Sequence, residues 1–510
     1  MIRVLTAEQS RAVEQRAVAE QGIELASLMR VAGAAVAEQV AARVPDGEVV
    51  VLAGPGNNGG DGWVAAHDLH ASGRAVRVLT TCEPHGLSGI AAEAAHGAIA
   101  AGVHWRAPDG PIEAADLADA RGIVDALLGI GGSGALRAPL DSWARAVNAS
   151  GAYVVAVDAP TGIDADTGAI PGDAIEADCT VTFTAPKRGL VIYPAAALAG
   201  EVVVADVGVE RRFAADVIDA PELWDEAEYA ALLPLPLADT HKNARGRVLV
   251  IAGSGAYPGA AVLAARGAMR SGAGYVTLAV PEGIVNVAQS HLLAAPVVGL
   301  PQGRSHAFSS AAADKALALS RDFDAVVLGP GLSQADGAAT TARALVTRLK
   351  LPLVIDADAL NALVDAAELI EQRSAPTVLT PHPGELGRLL GMTAAEVNAD
   401  RVSSSAKLAG PRRAVVLKGA GTVISIEGRQ IVNVSGTPAL ATAGTGDVLS
   451  GVIGALLAQR LEPLQAAALG VYLHGRAGEA AAADLTPMCV TAEDVPEYLP
   501  AAVAELLAGW

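Results

Sequence analysis

Short apolar runs that scarcely alternate recur along the chain, each followed by an Ala-rich segment of helical spacing. A strand with one wet face alternates polar and apolar residues, so unalternating Val-rich runs predict strands covered on both sides, in a parallel sheet between helix layers. In the first half such strands are expected at 48–53, 75–80, 122–127, 153–158, 179–183 and 202–207. A capping-box pattern, Thr6-Ala-Glu-Gln9, opens a helix ahead of them. The rhythm breaks over 216–240, where Trp224, a cluster of acids and Leu233-Pro-Leu-Pro-Leu237 intervene. It resumes at 247–251 and continues at 275–280, 324–328, 353–356, 377–379, 414–417 and 422–426. The halves share this style but no repeated motif. The pattern predicts an α/β chain of two three-layer domains, 1–215 and 241–510, joined by a linker at 216–240.

Composition sharpens this picture. A chain of 510 residues exceeds one ordinary core. Hydrophobic residues make up 52% but aromatics only 3%, so the cores must be built from Ala, Val, Leu and Ile, and 55 Gly let helices sit close to strands. A formal charge of −19 argues against a nucleic-acid or anionic-membrane surface, which needs a basic footprint. Small phosphorylated ligands stay open, because backbone N–H groups at helix starts hold phosphate without Lys or Arg. Cys82, Cys179 and Cys489 are scattered, as expected of a reducing compartment. No signal-peptide pattern is visible, and the apolar stretch 23–44 carries Glu24, Arg30, Glu38 and Arg43, too much charge for a membrane span. A soluble, cytoplasmic protein is expected, with small-molecule ligands, no nucleic-acid or membrane partner, and assembly as a homo-oligomer.

Chemistry gathers where strands end. After 48–53 comes Gly54-Pro-Gly-Asn-Asn-Gly-Gly-Asp-Gly62, with a helix expected from Trp63 onward. A glycine-rich strand-to-helix turn presents N–H groups to an anion, although a mere tight turn has the same composition. Three later strand ends add weight: Asp125, leading into Gly129–Gly131 and Gly134; Asp158, leading into Thr161; and Thr184-Ala-Pro-Lys187. In open α/β sheets the carboxyl ends of the strands face the ligand crevice, and carboxylates placed there repeatedly are costly to bury without a function. Asn58, Asp125 and Thr161 offer oxygen alone, which suits a hard cation rather than zinc.

The second half carries Ala443-Gly-Thr-Gly-Asp447-Val-Leu-Ser-Gly451, an anion-accepting turn at a helix start with a carboxylate beside it. Asp447 is either a proton acceptor for an attacking hydroxyl or a plain helix cap. Upstream strand ends supply Gly253–Ala260 by position, Gly329-Pro-Gly331, Asp356-Ala-Asp-Ala-Leu-Asn361, Thr380-Pro-His382-Pro-Gly-Glu385 and Lys418-Gly-Ala-Gly-Thr422. His382 is as readily a structural loop residue as a ligand contact, and Glu385 offers a water-mediated magnesium contact.

With Asn57-Asn-Gly-Gly-Asp-Gly62 and the segments just quoted, the first half resembles the NAD(P)H-hydrate epimerases from Leu28 to Gly189. The resemblance implies a Rossmann-like fold and a potassium ion held by Asn58, Asp125 and Thr161. It further implies substrate contacts from Asn57, Asn58, Gly59, Gly60 and Asp61, from Gly129, Ile130, Gly131, Gly132, Ser133, Gly134 and Ala135, and from Asp158. Asp158 and Lys187 are the polar groups expected to assist interconversion of the R and S hydrates at C6 of the dihydronicotinamide ring. Arg30 departs from the acid of many relatives. From His241 through Gly451 the second half resembles the ADP-dependent NAD(P)H-hydrate dehydratases, a ribokinase-like branch; Asn243 departs from its usual glycine. That resemblance places the hydrate near Ala260, Gly331, His382 and Asp447. It places ADP near Lys418, Gly419, Ala420, Gly421, Thr422 and Gly446, with Mg2+.

The implied reaction moves a phosphoryl group from ADP to the C6 hydroxyl with Asp447 as base. Ring-nitrogen electrons then expel phosphate, giving NADH or NADPH, AMP and phosphate. Because the second half takes the S hydrate, the first supplies it from the R form. Rival readings are a vitamin-precursor or sugar kinase built on the same Gly-Thr-Gly-Asp turn, a first half that is only a binding module, and an NAD-dependent oxidoreductase.

Overall fold

The computed structural model describes every residue except Ser133, Arg304, Ser305 and Trp510. Contacts divide the chain into two compact units, Ile2–Pro221 and Glu222–Trp510, with Met1 counted in the second.

In the first unit seven strands lie in the spatial order His104–Arg106, Val76–Thr80, Glu48–Ala53, Ala120–Ala126, Tyr153–Val157, Cys179–Phe183 and Glu201–Ala205. Every pair is parallel. Counted in chain order this is 3-2-1-4-5-6-7, the doubly wound arrangement extended by one strand, and it reverses direction between Glu48–Ala53 and Ala120–Ala126. Alternate residues of one strand enter different cores: Val49, Val51 and Ala53 face one helix layer, Val50 and Leu52 the other. That two-sided burial is why these strands do not alternate in sequence. The apolar helix Leu25–Arg43 is long enough to cross a membrane by length and composition. Its Leu28, Met29, Ala32, Val36 and Val40 are buried in the unit instead, so it packs as a core helix.

The second unit carries strands in the order Arg429–Asn433, Thr422–Ile426, Arg413–Leu417, Thr377–Leu379, Leu353–Ile355, Ala325–Leu328, Arg247–Ile251, Tyr275–Pro281 and Val297–Leu300. The run from Arg413–Leu417 to Val297–Leu300 is parallel, whereas the last two strands fold back as an antiparallel hairpin. Its direction reverses between Arg247–Ile251 and Ala325–Leu328. Val248 and Val250 enter one core, Leu249 and Ile251 the other.

The boundary between the units, Pro221/Glu222, falls inside the expected 216–240 linker. Past it the chain is no tether: Tyr229 is buried in the second unit's core and stacks on Tyr472, ring centroids 4.1 Å apart. Short helices Arg211–Ala215 and Glu226–Ala230 flank the boundary.

Candidate active sites

In the first unit the helix Asn57–Ala71 begins on Asn57 itself, six residues before the start expected at Trp63. Close packing explains the glycines better than looseness does. A Cβ on Gly59 would stand 1.9 Å from the Gly54 carbonyl oxygen, and one on Gly60 would meet the Met29 side chain at 2.5 Å. The helix therefore starts hard against the strand end at the point of reversal. Its N-cap, Gly56, brings no side-chain acceptor, so the opening N–H groups are left for a ligand or water.

Across the reversal, three consecutive N–H groups gather three oxygen-bearing side chains. Leu127 N–H donates to Asp125 Oδ1 at 3.3 Å, and Leu128 N–H to Thr161 Oγ1 at 3.2 Å. Gly129 N–H donates to the Asn58 amide oxygen at 3.1 Å once that amide is turned so that its nitrogen donates to the Val157 carbonyl at 3.0 Å. Thr161 donates to Asp125 twice, from its hydroxyl and from its N–H, both at 2.7 Å. Asp125 is fully buried, and burial pushes its carboxyl up to about 6 against these hydrogen bonds. Among the described residues no Lys or Arg pairs with it, and no cluster of three His, Cys, Asp or Glu could hold a metal. A buried carboxylate without a cation, beside an amide, a hydroxyl and carbonyls, matches the chemistry of an alkali or other hard cation.

Asp158 and Lys187 also meet. The Lys187 ammonium, wholly buried, donates to Asp158 Oδ1, to Thr182 Oγ1 at 2.9 Å and to the Phe183 carbonyl at 3.1 Å. Asp158 and Thr184 end adjacent strands with left-handed φ of 64° and 67°, unusual for residues with a Cβ and a mark of strain held by its surroundings. Asp61 sits near this pair: burial, then Asp158 and Glu14, push its carboxyl well above the ordinary range. Glu14, on the helix Ala7–Gln21, was missed from sequence; burial raises its carboxyl too, with Lys187 opposing. Nothing in that helix's local pattern marks it, because only the fold brings it to the strand ends. Of the expected glycine loop, Gly129–Gly131 forms a single 3-10 turn, Ile130 packs against the small core around Ile163, and Ala135 lies against Gly172; Ser133 lies outside the described residues.

In the second unit the helix Thr445–Ala458 is capped by Gly444 at φ 98°, with no side-chain cap. Asp447 stands in the first turn and is not the cap, so the bland explanation for it fails. Burial, with Asp356 next, lifts its carboxyl to about 7. The helix Pro258–Arg270 crosses this one so closely that a Cβ on Gly451 would lie 1.9 Å from the Ala264 carbonyl oxygen. That crossing sets the Ala260 end beside the 444–447 turn. Gly331 is close enough to Ala260 that a Cβ there would touch it at 2.9 Å. Ala260 and Gly331 follow the two strands between which the sheet reverses, where a ligand crevice is expected.

Lys418 joins the nucleotide-loop motif to this turn: a Cβ on Gly446 would stand 3.3 Å from its Nζ. The ammonium pairs with Asp356 at 2.8 Å and lies 3.9 Å from Glu385. Burial opposes its charge, but Asp356 and Glu385 outweigh it and hold the pKa above the usual value. Asp356 also accepts from Ser450, on the Asp447 helix, a partner not foreseen from sequence. His382 caps the helix Pro383–Leu390. Its Nδ1 accepts from Gly384 N–H at 3.0 Å, while Glu385 accepts from His382 N–H at 2.8 Å. The cap requires the neutral tautomer with the proton on Nε2, and burial together with Lys418 keeps the ring neutral. His382 is thus structural through Nδ1, while its Nε2–H makes no hydrogen bond and has Glu385 Oε1 3.6 Å away. Gly419 and Ala420 are exposed beyond Lys418, and Thr422 donates to the Gly419 carbonyl at 2.8 Å.

Comparison with known proteins also divides the chain into two parts. The family described as YjeF-related protein N-terminus matches residues 25–189, and that described as NAD(P)H-hydrate dehydratase matches 248–501. The bifunctional NAD(P)H-hydrate repair enzyme Nnr of Moorella thermoacetica is 38% identical over 507 residues, 98% of this chain and 96% of the relative. Its counterpart from Thermofilum pendens is 37% identical over 513 residues, covering 99% and 97%. Among solved structures, the ADP/ATP-dependent NAD(P)H-hydrate dehydratase of Bacillus subtilis, co-crystallised with ATP/Mg2+, is 31% identical. It matches with a TM-score of 0.50 over 56% of this chain and 99% of that one. With such identity along nearly the whole of both chains, this protein belongs to the bifunctional NAD(P)H-hydrate repair enzymes.

Proposed function

We propose that this chain restores hydrated NADH and NADPH, its first unit interconverting the R and S hydrates and its second dehydrating the S form with ADP. The observation that carries the second activity is Asp447: a first-turn carboxylate that caps nothing, lifted to about 7, beside Lys418 and the Gly444–Gly446 turn. A base that ionises near neutrality can take the C6-hydroxyl proton as the β-phosphoryl group of ADP is transferred. In this reading Ala260, Gly331, His382 Nε2–H and Asp447 receive the hydrate. Lys418, Gly419, Ala420, Gly421, Thr422 and Gly446 receive the nucleotide, and AMP is the first product. The phosphate at C6 leaves as the ring-nitrogen lone pair forms an N1=C6 iminium, and loss of a proton from C5 to solvent then gives the C5=C6 bond of NAD(P)H, with phosphate released. Glu385, buried and raised, with Asp356 suits a water-mediated Mg2+, which supplies charge neutralisation on the transferring phosphates.

In the first unit, Asn57–Asp61 and the 129–135 segment receive the substrate, and Asp158 with Lys187 handles protons at C6. The seat formed by Asn58, Asp125 and Thr161 fits K+, which would neutralise the buried Asp125 carboxylate. The epimerase domain is assigned to 1–215 and the dehydratase domain to 241–510. Residues 222–240 belong physically with the latter. A cytoplasmic homo-oligomer without nucleic-acid or membrane partners completes the proposal.

Product analysis tests the reaction class. Hydrate, ADP and Mg2+ should return reduced-nicotinamide absorbance with one AMP and one free phosphate per NAD(P)H. Accumulation of a stable phosphorylated product would replace this reading with the kinase alternative.

A further inference from the structure

Beneath the 418–422 loop lies a charge that the two sites leave unexplained. Arg401 opens the helix Arg401–Ala406 and is only 4% exposed, yet no carboxylate pairs with it among the described residues. Its Nη1 donates to Asn398 Oδ1 at 2.9 Å, and Nη2 donates to two consecutive carbonyls, Leu417 at 2.9 Å and Lys418 at 3.1 Å. Its Nε, also buried, has no partner. Burial lowers the guanidinium only to about 10, so it stays charged at neutral pH. A buried cation without an anion is costly unless something outside the protein compensates it.

The placement says what that something is. Leu417 ends the strand Arg413–Leu417, and Lys418 starts the loop. Carbonyl and N–H point in opposite directions across a trans peptide, so a Lys418 carbonyl drawn back onto Arg401 turns Gly419 N–H away from it, out of the strand end. Gly419 at φ 134° and Gly421 at φ 62° continue a backbone that side chains would strain. Among the hydrogen bonds of the described residues, no protein acceptor takes the N–H of Gly419, Ala420 or Gly421. By contrast, Lys418 N–H is already bound to the Pro381 carbonyl at 2.9 Å.

We propose that Arg401 is a positioning residue for the nucleotide: it holds the Leu417 and Lys418 carbonyls back so that the loop N–H groups face a diphosphate, and backs that loop with a fixed positive charge. This rests on the reading that ADP occupies the 418–422 loop. The ligand class is a nucleoside diphosphate, and the contribution grows with the number of phosphates rather than with the base.

Calorimetric titration of the full chain with ADP, AMP and adenosine tests it. Arg401→Met keeps the bulk of the side chain and removes its charge and donors. Loss of charge-assisted donors predicts ADP affinity weaker by roughly 10–100-fold. AMP should lose less and adenosine nothing, while KM for ADP rises and kcat at saturation changes little. Arg401→Lys keeps the charge but has one nitrogen on a shorter stem, which cannot occupy both the Asn398 and the two-carbonyl positions, so it should show the same gradient at smaller amplitude. It also carries the test if Arg401→Met does not fold, as judged by its thermal unfolding midpoint. Unchanged ADP affinity in a folded variant, or equal losses for ADP, AMP and adenosine, overturns the proposal. Failure of the unsubstituted chain to bind ADP would instead overturn the underlying nucleotide reading.

Discussion

The two sites solve the same electrostatic problem in opposite ways. At the strand ends of the first unit, the Asp158 carboxylate is neutralised from within, by a wholly buried Lys187 that also bonds Thr182 and Phe183. In the second unit the partly buried Lys418 pairs with Asp356 and lies near Glu385, while burial and acidic neighbours, which Lys418 only partly opposes, lift Asp447 to about 7. An internally paired carboxylate is held in one orientation by its cation. A carboxylate left unpaired is tuned to exchange its proton near neutrality. The difference fits the proposed division of labour: reversible rearrangement at one carbon in the first unit, proton abstraction from a hydroxyl during phosphoryl transfer in the second.

Breaking the second site should have the largest effect. Asp447→Asn keeps size and removes the base, so dehydration of the S hydrate should fall by ~10²–10⁴-fold. ADP binding and epimerisation should persist, and a near-normal dehydration rate would reduce Asp447 to a bystander. In the first unit, Lys187→Met leaves Asp158 buried without its cation, a loss on the order of 3–5 kcal/mol. Denaturant unfolding should register that loss together with lost epimerase activity, while dehydration of pure S hydrate continues.

Proton dependence sharpens the contrast. The active form of Asp447 is the ionised one, so kcat/KM for dehydration should rise about tenfold per pH unit below 7 and level off above it. An unchanged profile in Asp447→Asn would assign that titration elsewhere. The smallest effect concerns Asp125. Its folded pKa, about 6, lies above the unfolded value of 3.8, so the folded state holds the extra proton. Its contribution to stability is therefore greatest below about 4 and is lost as pH rises through 6, by on the order of 3 kcal/mol. A cation bound by the carboxylate reverses that loss. Potassium should raise the unfolding temperature at pH 7.5 but not at pH 5, and Asp125→Ala should abolish both this response and the potassium stimulation of epimerisation.

Sequence pattern carried most of the sheet and less of the sites. The strands at 48–53, 179–183, 247–251, 377–379 and 422–426 were legible to the residue, because strands buried on both faces advertise themselves as apolar runs. His104–Arg106, Val297–Leu300 and Arg429–Asn433 were not. His104–Arg106 is short and polar, and it and Val297–Leu300 lie at sheet edges, where one side of the ladder is missing; Arg429–Asn433 opens on two polar residues outside the core. The glycine strings are accounted for in part by packing: Gly59 and Gly60 admit a close helix–strand contact rather than a loose loop. Asp125, Asp158 and Asp447 stand out in sequence because they sit in or just after the end of a strand or in the first turn of a helix. Glu14, Arg401 and Ser450 reach the sites from helices whose own sequence says nothing of what they face, so only tertiary packing reveals them.

The central claim is that one chain clears both epimers, each unit supplying what the other lacks. The most direct measurement starts from purified R hydrate of NADPH, with ADP, Mg2+ and K+, and follows NADPH absorbance. The intact chain should convert all of it, Asp158→Asn should stall on R hydrate while still dehydrating S hydrate, and Asp447→Asn should give only a mixture of the two hydrates. An intact chain that dehydrates S hydrate but leaves R hydrate no faster than it epimerises in buffer would contradict the account.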